Sequence, residues 1–168
     1  MLRDYNRIAG QSLERIAALS DSIFAVTMTL LVLDLRAPAT EAIHGEFELV
    51  HGLAALASRL LVYLMSFLTV GVFWVGQQTQ LNHLARADRD LAWIHLAFLF
   101  AVTMMPFSTG LMAEFIRYRS ALAVYWANIL LFGLLLFASW RYSRWAGLVR
   151  EDGPEGVARS IECRIVIA

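Results

Sequence analysis

The chain has 168 residues, 59% of them hydrophobic and 17% charged, with 14 basic and 14 acidic side chains and a formal net charge of zero. Soluble domains carry roughly 45–50% apolar and about 25% charged residues, so there is too little polar surface here to cover a water-soluble globule. Zero net charge excludes a field that recruits nucleic acid, and an all-Arg basic complement excludes Lys Schiff-base chemistry and a Walker-type phosphate loop.

The stretch from Met1 to Arg15 carries charges of both signs and no short apolar core with a small-residue cleavage site, so no secretory signal is expected. Four apolar segments follow, at about residues 16–35, 49–76, 91–112 and 121–140. Each is near the roughly 20 residues needed to cross about 30 Å of hydrocarbon. The intervening stretches are polar. Residues 36–48 contain Pro38, Gly45, Glu41, Glu46 and Glu48, and residues 77–90 read as a charged turn with Arg86, Asp88, Arg89 and Asp90. Residues 114–120 carry Arg117 and Arg119, and residues 141–159 hold the helix breakers Gly153, Pro154 and Gly156. The piece at 161–168 is too short to span and reads as the opening turns of a fifth helix. A lone cysteine, Cys163, excludes an intrachain disulfide.

Only helix bundles and closed barrels satisfy the backbone in lipid. These segments are continuous apolar runs, not alternating strands, so helices are expected. The predicted fold class is all-α: a polytopic transmembrane helical bundle forming one domain over 1–168, with four complete helices and the start of a fifth. Arginine placement sets the orientation. With the N-terminus inside, the inner side collects Arg3, Arg7, Arg86, Arg89, Arg141, Arg144, Arg150 and Arg159, against Arg36, Arg117 and Arg119 outside. That places Asp34, Glu41, Glu46 and Glu48 at the outer mouth, where they would concentrate cations.

The first helix is the unusual one. Ser20, Asp21 and Ser22 lie about two turns inside its apolar run. A carboxylate at membrane depth is costly unless paired or wet. Arg15, six residues away, sits on another face of the helix and cannot neutralise Asp21 there. The partner must come from another helix, another subunit or the interface. Ser20 and Asp21 read either as a hydrogen-bonded node between helices or as a device that positions a pore helix. Further along, Ser22, Val26, Leu30 and Leu33 fall in one stripe on a 3.6-residue period, bordered by Thr29. Such a stripe packs helices or forms a constriction that gates by dewetting; periodicity does not choose between them.

The stretch resembles the signature of prokaryotic relatives of the endolysosomal potassium channel, the transmembrane-protein-175 family, which carry Arg-x-x-x-Phe-Ser-Asp, then Phe-Ala-Ile and a Thr-Leu-Leu-Val-Leu run. The matching residues are Arg15, Ser20, Asp21, Phe24, Ala25, Thr29, Leu30, Leu31, Val32 and Leu33, with Leu19 in place of the motif Phe and Val26 in place of Ile. The similarity continues in Phe73-Trp74, in residues 82–90 and in Pro106-Phe107-Ser108-Thr109. Where the family usually has Trp-x-x-His, Trp74 is followed by Gln77, which hydrogen-bonds but does not charge at mild pH. His83 and His95 are expected at the surface or the interface.

The resemblance implies a homotetramer of six-helix subunits with the first helix lining a pore on the symmetry axis. This chain supplies four helices and a stub, so a sequence cut short of two helices is expected. The resemblance further implies a potassium-selective channel in the bacterial plasma membrane, with a cytoplasmic N-terminus. Val26, Leu30 and Leu33 would form the constriction, with Ser22 in the same stripe and Thr29 offering a hydroxyl to the ion. Arg15, Ser20, Asp21, Trp74 and Gln77 would be the scaffold that orients the helix. Expected partners are membrane lipid, monovalent cations and three further copies. No cofactor and no fixed metal are expected beyond permeant potassium. The sequence has no Thr-Val-Gly-Tyr-Gly carbonyl filter. The alternative is a non-conducting membrane scaffold or assembly subunit. An enzyme is the weakest reading, because no His-Glu-x-x-His, metal-ligand spacing or nucleophile motif is present.

Overall fold

A computed structural model of the chain describes residues 13–38 and 43–150. The expected fifth-helix start at 161–168, together with Cys163, Arg3, Arg7, Glu41 and Arg159, lies outside these residues. The elements are α1 (Leu13–Leu31), continued by a 3-10 turn (Val32–Asp34), then α2 (Glu46–Ala55), α3 (Ala57–Asn82), α4 (Arg89–Thr103), α5 (Met105–Glu114) and α6 (Arg119–Trp145). Among the described residues there is no strand, only an isolated bridge between Leu84 and Val149.

Among the described residues three stretches are long and apolar enough to cross a membrane: Glu46–Asn82, Arg89–Glu114 and Arg119–Trp145. The first predicted segment differs from them. Its α-helix has 19 residues and carries Glu14, Arg15 and Asp21, so on length and composition alone it falls short of the other three. At about 1.5 Å per residue it still reaches close to 30 Å.

Helix ends depart from the apolar runs for identifiable reasons. α3 does not stop at 76; it continues through Gln77, Gln78 and Gln80 to Asn82. Its buried stripe is Val62, Ser66, Val70, Phe73, Gln77 and Gln80. The spacing of three and four persists after the residues turn polar, and the expected turn at 77–90 is therefore shorter. The third segment is two helices, broken at Met104. Pro106 lies in the first turn of α5, where its missing N–H is tolerated but the preceding helix cannot continue. The second segment breaks at Leu56, where no Pro or Gly accounts for it. α6 runs past 140 to Trp145 and ends well before the expected breakers at 153–156. Gly147 adopts φ 64°, Leu148 N–H donates to Ser143 O at 2.9 Å and Gly147 N–H to Arg144 O at 3.3 Å. This pair of bonds is the Schellman helix end that glycine permits.

The chain runs up and down. α1 packs on α3, α4 and α5, while α6 packs mainly on α4 and α5, so the kinked α4–α5 pair is the centre of the bundle. One phenylalanine from each long element meets there: Phe24 and Phe98 at 6.0 Å, Phe98 and Phe132 at 6.0 Å, Phe132 and Phe73 edge-on at 5.0 Å. Val70, Leu99, Val102, Met105, Tyr125 and Leu136 complete this core. A second cluster, Leu81, Leu84, Ala87, Leu91 and Leu148, closes the end that carries the start of α1. There Asp88 caps α4 by accepting from Leu91 N–H at 2.9 Å, and also accepts from Tyr142 Oη–H at 2.7 Å. At the other end Arg59 of α3 pairs with Glu114 of α5.

Candidate functional site

α1 has two faces. Ser20, Phe24, Thr27 and Leu31 are buried against the bundle. The opposite face holds all five residues of the predicted stripe and its border. Val26 is 56% exposed, Leu30 44% and Leu33 67%, and Ser22 and Thr29 are exposed as well. Leu33 sits on the 3-10 turn and not on the α-helix, so it lies off the strict 3.6-residue register. Ser22 Oγ–H donates to Ala18 O and Thr29 Oγ1–H donates to Val26 O, both at 2.8 Å. Each hydroxyl spends its proton on its own helix, which leaves the oxygen lone pairs as acceptors on an exposed apolar face.

α1 is fastened to α3 by neutral donors, at Ser20 on its buried face and at Asp21 on the exposed edge beside it. Gln77 Nε2–H donates to Ser20 Oγ at 2.7 Å, and Ser20 Oγ–H donates to Ile16 O at 2.8 Å. One residue on, Trp74 Nε1–H donates to Asp21 Oδ1 at 2.8 Å, and Gln78 Nε2–H donates to the same oxygen. Hydrogen bonds to a carboxylate are roughly twice as strong as neutral ones. Two adjacent residues of α1 thus meet three residues on one and a half turns of α3, which fixes both the height and the rotation of α1.

Of the five residues expected to orient the first helix, the structure brings together Ser20, Asp21, Trp74 and Gln77. Arg15 is exposed and makes no hydrogen bond or ion pair with the described residues. Gln78 belongs to the set but was hidden in sequence, because it falls beyond the apolar run that marked the end of the second helix. The extension of the 62-66-70-73 spacing to 77 and 80 is the signal that would have found this helical extension. His95 corrects an expectation: it is buried at 2% exposure, its Nδ1 lying 3.2 Å from Leu91 O. His83 is half-buried, with Nδ1 2.6 Å from Thr79 O. Gln77 Oε1, Gln80 Oε1 and His95 Nε2 are buried without a partner among the described residues.

A second polar set lies toward the other end of the bundle. Thr109 Oγ1–H donates to Ser66 Oγ at 2.9 Å, Ser66 Oγ–H to Tyr125 Oη at 3.3 Å, and Asn128 Nδ2–H to Ser108 Oγ at 3.1 Å. These bonds tie α3, α5 and α6 together with their polar atoms satisfied, as intramembrane packing favours. Among the described residues no group of three or more His, Cys, Asp and Glu could hold a metal ion.

A polytopic bundle of apolar helices, with one helix bolted to the rest along one face and bare along the other, is a multi-pass membrane protein. The family model for the endosomal/lysosomal potassium channel TMEM175 matches residues 15–106. A potassium channel of Streptomyces collinus is 32% identical over 154 residues, covering 88% of this chain and 73% of that one. A potassium channel of Chamaesiphon minutus is 32% identical, covering 77% of this chain and 64% of that one. The crystal structure of a lysosomal potassium-selective channel TMEM175 homolog from Chamaesiphon minutus superposes with a TM-score of 0.77 at 26% identity, over 92% of this chain and 81% of that one. A zebrafish endosomal/lysosomal proton channel TMEM175 is 30% identical, but this chain spans 24% of its length. The chain belongs to the TMEM175 family, a family of ion channels and not of enzymes.

Proposed function

We propose that this chain is the pore-forming subunit of a homotetrameric, potassium-selective channel of the bacterial plasma membrane, with its N-terminus in the cytoplasm. On this reading α1 lines the axis, and copies of Val26, Leu30 and Leu33 stack as apolar rings about a helical turn apart. A narrow apolar ring excludes water and sets the barrier to conduction. Ser22 and Thr29 supply the hydroxyl oxygens nearest a partly dehydrated cation. Ser20, Asp21, Trp74, Gln77 and Gln78 hold the helix at the rotation that turns the rings inward.

The observation that carries the reading is the pairing of the two faces of α1. The side fastened to α3 is defined by named hydrogen bonds, and the side left exposed is the one with the apolar stripe and its two hydroxyls. Relatives named as potassium channels supply the ion. Arginine asymmetry supplies the orientation. The end that carries the start of α1 holds Arg86, Arg89, Arg141, Arg144 and Arg150, and the other holds Arg36, Arg59, Arg117 and Arg119. Purified protein in liposomes tests the reading: a potassium gradient should dissipate faster than a sodium gradient of equal size. Assembled protein that passes neither ion would instead be the non-conducting scaffold.

A further inference from the structure

The last turns of α6 carry a feature that ion passage along α1 does not use. Phe137, Trp140, Arg141, Arg144 and Trp145 line a cleft of about 420 Å³. Their spacing, at positions i, i+3, i+4, i+7 and i+8, puts them on one side of the helix. The cleft grades along the helix axis. Phe137 is its apolar end, Arg141 and Arg144 are exposed, and Trp145 is 82% exposed at the helix terminus. Trp140 is buried, and its indole N–H has no acceptor among the described residues.

The cleft also lies at the more positive end of the bundle. The described charges there are Arg15, Arg86, Arg89, Arg141, Arg144 and Arg150 against Glu14, Asp88 and Asp90. Both aspartates accept from Tyr142 Oη–H, and Asp88 also caps α4. At the opposite end the described charged side chains are Arg36, Arg59, Arg117 and Arg119 with Glu46, Glu48 and Glu114. A tryptophan pair at a helix terminus is what the headgroup level of a bilayer selects, and basic clefts at that depth attract anionic lipid headgroups.

We infer that this cleft binds the phosphate-bearing headgroup of an anionic phospholipid. The guanidinium of Arg141 holds the phosphate oxygens, since a planar guanidinium matches phosphate bidentately. Trp140, buried beneath the cleft, forms its floor. Phe137 and Trp145 flank the glycerol and the upper acyl chain. Free phosphate carries at least as much negative charge but would leave both aromatic walls unused, so the bilayer is the source. The inference does not depend on the chain conducting ions.

The test is lipid binding by the full chain in detergent, read as thermal stabilisation. Short-chain phosphatidylglycerol should raise the melting temperature in a saturable way, and short-chain phosphatidylcholine and inorganic phosphate should not. Arg141→Gln should weaken the apparent affinity for phosphatidylglycerol about fivefold, the order expected for one basic residue at a membrane surface. Arg117→Gln, in the turn that precedes α6 at the other end of the bundle, should leave it unchanged. If Arg141→Gln fails to fold, bromolipid quenching replaces it. Brominated phosphatidylglycerol should quench the unaltered protein more than brominated phosphatidylcholine does, and Trp145→Phe should remove most of that excess. Equal stabilisation or quenching by both lipids, an equal effect of inorganic phosphate, or unchanged affinity in Arg141→Gln would each overturn the inference.

Discussion

α1 and α6 both leave one side uncovered, and the two sides differ in kind. The exposed positions of α6 between 122 and 138 are Leu, Ala, Val, Trp and Phe throughout, while its polar residues Tyr125, Asn128 and Ser139 are all buried. That is the pattern of a helix whose outside is lipid. The exposed side of α1 interleaves Val26, Leu30 and Leu33 with Ser22 and Thr29, and Asp21 borders it under hydrogen bonds from α3. Exposure alone does not define a lipid face; what separates the two helices is where their oxygens point. Between 122 and 143 α6 turns its hydroxyl and amide oxygens into the bundle, while α1 keeps those of Ser22 and Thr29 outside, beside the exposed Asp21.

Several substitutions sharpen this contrast or break it. The largest effect belongs to the interior that both helices share. Phe132→Ala removes the ring that touches Phe73 and Phe98, and should cost about 3–5 kcal/mol, read as a large fall in melting temperature in detergent. Next, a carboxylate placed on the outer side of each helix should separate them. Leu130→Asp faces hydrocarbon and should cost about 3 kcal/mol of insertion free energy. Ser22→Asp should cost less than about 1 kcal/mol by the same insertion assay if the proposed pore face of α1 meets water. Equal penalties would mean that α1 faces lipid as α6 does. Then Asp21→Ala should destabilise the protein by about 1 kcal/mol, because it removes the acceptor that Trp74 and Gln78 share at a partly exposed site. It should lower assembly yield more than it alters ion preference. A mutant that assembles normally with a changed preference would make Asp21 a pore ligand.

What was readable beforehand follows the same division. The oddity of the first helix was visible because three polar residues inside an apolar run are costly unless used, and the spacing of Val26, Leu30 and Leu33 set one face apart from Phe24 and Leu31. The partners of Asp21 were not visible in full. Gln78 lies beyond Gly76, where the apolar run ends, and a stretch of Gln reads as loop unless the buried spacing of the helix is carried forward. The break at Met104 had a visible cause in Pro106, and the end of α6 had one in Gly147. The break at Leu56 had none. His95 is expected at the surface or the interface and is buried instead, because a single ionisable residue in an apolar segment does not say which side of the helix it takes.

On the proposed reading the exposed stripe of α1 is a pore wall and its neighbouring face is packing. Met28 is the control. It is half-buried against the core, and its terminal methyl lies 3.4 Å from where a side chain on Gly71 would begin. Leu30 is on the exposed side. Potassium and sodium flux from liposomes, measured for Leu30→Ala and Met28→Ala at matched protein density, compares the two directly. Leu30→Ala should raise total cation flux and erode the discrimination against sodium, since a smaller apolar ring is wider and wetter. Met28→Ala should keep both near the parent values while lowering the melting temperature. Indistinguishable flux and discrimination in the two variants would contradict the account.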